Sequence, residues 1–90
     1  MKRNEKYILR NVADVYFLYT SDQNEHGENK NVFMNETSAF IWSKIEGSCT
    51  IDSLVEALSK EYQVDEYIAR DDVMEYITFL AKNGCIDLEG

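Results

Sequence analysis

The side chains able to do chemistry in this 90-residue chain are few and scattered. Its single histidine, His26, stands beside Gly27 in a polar stretch, where nothing supplies the packed surroundings that tune a catalytic base. Asp71, Asp72 and Glu75 fall close together, and Asp71 and Glu75, four residues apart, share one face of a helix. Such a pair could begin a divalent-cation site, but no third ligand of fixed geometry, EF-hand loop or His-Glu-x-x-His follows. A solvated acidic face is the simpler reading. Cys49 and Cys85 have no C-x-x-C spacing and read as two small buried residues of a reducing compartment. The four glycines are too widely spread to cradle a phosphate. Catalysis is not expected, and neither is a metal or a cofactor.

The elements that must position these residues divide the chain in two. Tyr7–Val12 reads as a first strand, and Val15–Thr20, dense in aromatic and β-branched residues, as a second. Residues 21–30 are almost entirely polar and read as a long wing loop, after which Asn31-Val32-Phe33-Met34 forms a short third strand. In the second strand Val15, Phe17 and Tyr19 point to one face, and Tyr16, Leu18 and Thr20 to the other. Ninety residues rarely supply layers to cover both faces. Either a partner or a second copy covers one of them, or its tyrosines lie flat with hydroxyls in water.

Three helices follow. Asn35 caps a helix over residues 36–46 that Gly47 stops, with Ala39, Ile41, Trp42 and Ile45 inward. Thr50 caps a second, in which Ile51, Leu54, Val55, Leu58 and Tyr62 form a single buried stripe. Asp65 caps a third that runs to about Asn83, with Ala69, Val73, Tyr76, Ile77 and Leu80 inward and Gly84 as its stop. Cys85–Leu88 returns to alternation, as a terminal strand or an apolar tail on the core. The order predicts one α+β domain over residues 1–90, winged helix-turn-helix-like: a three-stranded antiparallel sheet followed by three helices.

Seventeen acidic residues against nine basic ones give a net charge of −8. The first ten residues carry +3, residues 1–6 reading as a basic tail, and the remaining eighty carry −11. A third helix with Glu66, Asp71, Asp72 and Glu75 against Arg70 and Lys82 has the wrong sign for a DNA recognition helix. Nucleic acid and anionic membrane surfaces are therefore disfavoured as partners. No apolar run reaches membrane-span or signal-peptide length, so a cytoplasmic location is expected.

Several stretches are similar to a known family. Met34-Asn35-Glu36-Thr37-Ser38-Ala39-Phe40-Ile41-Trp42 resembles the "L-N-x-T-x-x-x-I-W" helix start of PqqD-like proteins, with Met34 where Leu is usual. Glu46-Gly47 and Thr50-Ile51-Asp52-Ser53-Leu54 resemble the turn into that family's second helix. Asp72–Leu80 with Asn83-Gly84-Cys85-Ile86 resembles its closing "D-V-x-x-F-[IL]-x-x-L-x-x-x-G-[LIV]-[IL]", with Cys85 where Leu is common. Tyr7-Ile8-Leu9-Arg10 looks like its first strand. The resemblance spans roughly Tyr7 to Leu88, and the polar insertion between strands two and three departs from it.

The resemblance implies a recognition element for ribosomally made, post-translationally modified peptides. Such a domain binds the leader of a precursor peptide and presents it to a separate modifying enzyme, a radical SAM maturase or a leader peptidase. The leader is then an added strand beside strand three, in a groove closed by helix three. Carried onto this chain, the peptide-binding residues are Asn31, Val32, Phe33 and Met34 from the strand, and Arg70, Asp71, Met74, Glu75, Ile77 and Ala81 from the helix. Arg70 would pair with a leader carboxylate, and Asp71 or Glu75 with a leader Lys or Arg. Two other readings stand beside it: a winged-helix regulator, which would need a basic face, and an assembly subunit of a larger enzyme. The charge balance predicts no band shift of duplex DNA even at low salt; tight binding there would revive the regulator.

Overall fold

A turn of only two residues sets the geometry of the sheet. The computed structural model describes residues 1–23, 29–47 and 49–88. Its elements in chain order are β1 (Lys2–Arg3), β2 (Ile8–Val12), β3 (Val15–Gln23), β4 (Asn29–Met34), α1 (Glu36–Lys44), α2 (Ile51–Tyr62), α3 (Glu66–Lys82) and β5 (Ile86–Asp87). The three expected strands are β2, β3 and β4, an antiparallel sheet with β3 at its centre. Ala13 and Asp14 join β2 to β3, both with positive φ, +51° and +65°. This is the backbone of the I′ turn whose twist suits a tight hairpin.

Register follows from that turn. Val12 faces Val15, Leu9 faces Leu18, and Leu18 faces Val32. The inner face accordingly buries Leu18, Thr20 and Val32, while Ile8, Val12, Val15 and Phe33 lie exposed on the outer one. The alternation expected for residues 15–20 holds, and the face carrying Leu18 is the one that meets the helices.

Two expectations for the chain's first thirty residues need correction. The wing loop expected over residues 21–30 is shorter, because β3 continues to Gln23 and β4 starts at Asn29. Polar residues remain in the ladder there because strand pairing needs only backbone groups, and a register irregularity between Thr20 and Gln23 absorbs the surplus length. His26 and Gly27 lie outside the described residues. Nor are residues 1–6 a loose basic tail. β1 pairs with β5, Lys2 opposite Asp87 and Arg3 opposite Ile86. The Asn4 amide N–H donates to the Cys85 carbonyl at 2.8 Å, and the Arg3 guanidinium lies 5.2 Å from the centre of the Trp42 ring.

The helices form as their caps dictate. The Asn35 side chain accepts from the Ser38 N–H at 2.8 Å. Thr50 and Ser53 exchange hydrogen bonds of 3.0 and 3.1 Å in a reciprocal capping box. Asp65 occupies the cap position of α3 without a side-chain cap bond, so it contributes charge at the positive end of the dipole rather than an acceptor. α1 ends at Lys44, earlier than expected, because Ile45 turns to extended backbone and is fully buried. α3 closes with the Cys85 N–H bonded to the Leu80 carbonyl and the Gly84 N–H to Ala81, Gly84 sitting at φ +72°. Cys85 is buried, Cys49 only half-buried, and both are free thiols.

One core results. Leu18 and Val32 from the sheet meet Ile41, Leu58, Val73 and Leu80 from the helices, all essentially closed to solvent. Trp42 lies in the same cluster, its indole N–H without a partner among the described residues. Truncating Leu18 to Ala is expected to cost about 2–5 kcal/mol in urea unfolding. Conversely, Ala13-Asp14 replaced by Asn-Gly, the pair best suited to two left-handed positions, should raise stability by up to about 1 kcal/mol.

Candidate functional site

The two-residue turn also decides which backbone groups of the sheet remain unused. In such a hairpin the residues flanking the turn, Val12 and Val15, exchange both N–H···O bonds, and the pattern alternates from there. Val15, Phe17 and Tyr19 therefore bond to β2, and Tyr16, Leu18 and Thr20 bond to β4. Across β4, Lys30, Val32 and Met34 face Thr20, Leu18 and Tyr16 and complete those bonds. Asn31 and Phe33 are left with their N–H and C=O groups turned away from β3, along the outer edge of the sheet.

The residues expected to bind a peptide fall into distinct environments. Asn31 is exposed, Val32 buried, Met34 half-buried on the inner face, and Phe33 63% exposed on the outer face. Val32 belongs to the same apolar cluster as Val73 and Ile77 of α3, with Met34 packed against it. Edge strand and third helix thus share one core.

On α3 the expected stripe splits. Ile77 is buried. The Arg70 guanidinium reaches Asp52 at the start of α2, 2.7 Å away, so its charge is already engaged. Ala81 borders a cavity of about 810 Å3 between the end of α3 and the β1–β5 ribbon. Met74 is the apolar member that stays open to solvent, at 48%, with Asp71 exposed on its side of the helix and Glu75 exposed further round. The opposite flank carries Ile68, Asp72, Glu75 and Phe79 at four- and three-residue steps, and Ile68 and Phe79 are also exposed. Sequence reasoning passed over these two. Their signal was an apolar residue outside the 69-73-77-80 stripe, which the resemblance gave no reason to select.

A second recess, about 370 Å3, lies where α1 and α2 meet the inner face, lined by Leu9, Tyr16, Glu36, Phe40 and Tyr62. The Tyr62 hydroxyl donates to a Glu36 carboxylate oxygen at 3.4 Å, and its ring meets Phe40 edge-on. Burial, followed by the Glu36 charge and hydrogen bond, pushes the phenol above its ordinary value of 10.0. Among the described residues no group of three His, Cys, Asp or Glu side chains stands together to hold a metal ion. No helix among the described residues is long and apolar enough to cross a membrane.

Residues 25–86, well over half the chain, match the family described as Coenzyme PQQ synthesis protein D (PqqD). The chain belongs to the PqqD family. Comparison with curated proteins gives no match. Among solved structures, TbiB1 in complex with the TbiA(beta) leader peptide shares the fold, with a TM-score of 0.71 at 20% identity. The alignment covers 98% of this chain and 96% of that one. The PqqD-family fold, a three-stranded antiparallel sheet followed by three helices, is thus the one expected from the sequence, and this chain also pairs β1 with β5.

The Tyr62 environment makes a pH prediction. A raised phenol keeps its proton in the folded chain after the unfolded chain has lost it. The stabilisation is therefore complete below pH 10 and disappears as pH climbs through the higher folded value. Thermal melts of the parent should fall more steeply above pH 10 than those of Tyr62→Phe.

Proposed function

We propose that this chain is a non-catalytic recognition domain for the leader of a ribosomally synthesised precursor peptide. The leader adds as a fourth strand along β4 and is presented to a separate modifying enzyme, a radical SAM maturase or a leader peptidase. The observation that carries the reading is the free outer edge of β4, where Asn31 and Phe33 offer two N–H and two C=O groups to an incoming strand. Main-chain bonds give affinity with little demand on sequence, and side-chain pockets supply the discrimination. On the inner side these are Val32, Met34 and the exposed apolar side chains of α3, Met74 above all, a flexible thioether suited to varied contacts. The complex of TbiB1 with its leader peptide supports the same use of the shared fold.

Electrostatics narrows the ligand. With Arg70 paired to Asp52, the other exposed charges of α3 are Glu66, Asp71 and Glu75 against Lys82, a net acidic surface. They favour a leader with Lys, Arg or neutral groups along this helix, and affinity that falls as salt rises. The chain itself contributes position and selection, and the chemistry belongs to the enzyme that receives the peptide. A cytoplasmic setting fits such a partner.

The test titrates a labelled precursor leader peptide by fluorescence anisotropy. Phe33→Pro removes an outward N–H that the sheet does not use, so it should stay folded and weaken binding about tenfold or more. Val32→Pro strikes the β3–β4 ladder instead and should lower the melting temperature sharply. Met74→Glu and Phe79→Glu report which flank of α3 meets the peptide, a charge in the groove costing about tenfold or more. Full affinity in folded Phe33→Pro, or in both helix variants, would overturn the groove.

A further inference from the structure

The same backbone parity that frees the β4 edge also fixes where Phe33 points. Residues whose N–H and C=O face the edge, Asn31 and Phe33, carry their side chains on the outer face, because edge direction and face alternate together along a strand. Phe33 is 63% exposed at a position where natural sheets favour charges or proline. One side of its ring is used: Phe17, directly opposite on β3, lies 5.7 Å away centre to centre, tilted by 44°. Its other side looks toward the edge. A row of outer-face side chains thus runs Arg10, Phe17, Phe33 and stops at the place an added strand would take.

We infer that the outer face of the sheet reads the leader as well as the inner groove: the leader residue laid beside Phe33 is aromatic or β-branched and completes the aromatic row. The residue two positions along falls beside exposed Asn31 and is a hydrogen-bonding one, Thr, Ser or Asn. This rests on the strand-addition reading above and goes beyond it, because it assigns specificity to a face with no helix over it. Directly paired residues in a sheet lie within side-chain contact, and an aromatic pair adds favourable energy beyond area alone. The assignment holds for either direction of the leader, since the side chain beside an outward-facing neighbour shares its face in parallel and antiparallel pairs alike. It also accounts for an apolar outer edge in a chain of net charge −8: the residue is a ligand contact, covered when the leader is bound.

The experiment selects binders from a displayed library of random peptides on the parent chain and, separately, on Phe33→Glu. That variant keeps the backbone donor and exchanges only the outer-face side chain. Amide exchange at Asn31 and Phe33 is followed by NMR for the selected binders, and cross-strand contacts identify the peptide residue beside position 33. Expected are slowed exchange at both amides, an aromatic or β-branched residue beside Phe33, and a switch to Lys or Arg beside Glu in the variant. Removing the aromatic from a parent binder should weaken it roughly three- to tenfold. Slowed exchange with the same residue distribution from both selections would overturn the outer-face assignment while leaving strand addition intact. Unchanged exchange at both amides would overturn strand addition itself, and this inference with it.

Discussion

Two residues, Ala13 and Asp14, fix the register on which the sheet is built. Their positive φ values close a hairpin with no spare length, so the alternation of bonded and non-bonded pairs has a fixed starting point. Every later assignment in the sheet descends from it: which side of β3 serves β2, which serves β4, and which β4 residues have backbone groups left over. A turn one residue longer would shift this parity, and Lys30, Val32 and Met34 would stand where Asn31 and Phe33 now stand. Because edge direction is tied to face, the swap would also exchange buried for exposed side chains at the edge. The core forbids that, since Val32 must face Leu18 and the helices. Turn and core therefore agree on one register.

The helices were legible because their signals are local. Asn35, Thr50 and the 54-55-58 and 69-73-77-80 spacings each announce themselves within one or two turns, and the structure buries the side chains they nominate. The same locality explains the failures. Residues 21–23 and 29–30 carry no apolar pattern, so nothing in their composition reveals backbone pairing, which depends on a strand partner rather than on side chains. Lys2 and Arg3 read as a solvated basic start because their partner lies more than eighty residues away. At the candidate site the strand was legible, and the turn that fixes its bonding parity was the weaker signal. Val12-Ala13-Asp14-Val15 held the clue, but Ala and Asp are weaker turn signals than Asn-Gly. Arg70 was chosen for its charge, and only the folded chain shows that charge already bound to Asp52.

A helix-turn-helix scaffold with a sheet beside it is often a nucleic-acid reader, and here shape and charge point apart. α3 carries four acids against two bases, and one of those bases is neutralised by α2. That sign disfavours phosphate contacts along α3. What the scaffold keeps in its place is a strand at the sheet edge that shares a core with a long helix. Fold supplies the frame and the sign of the charge decides its use.

The ribbon of β1 and β5 carries a mechanical consequence. Lys2 lies opposite Asp87 in an antiparallel pair, so the two ends of the described chain leave the domain side by side. Tension applied between them would open this ribbon like a zipper, one backbone bond at a time, rather than shearing several at once. The hydrogen bonds of Asn4 to the Cys85 and Gly84 carbonyls come next along the chain, ahead of the three-stranded sheet. A neighbour attached at either end would load this ribbon before it loaded the sheet.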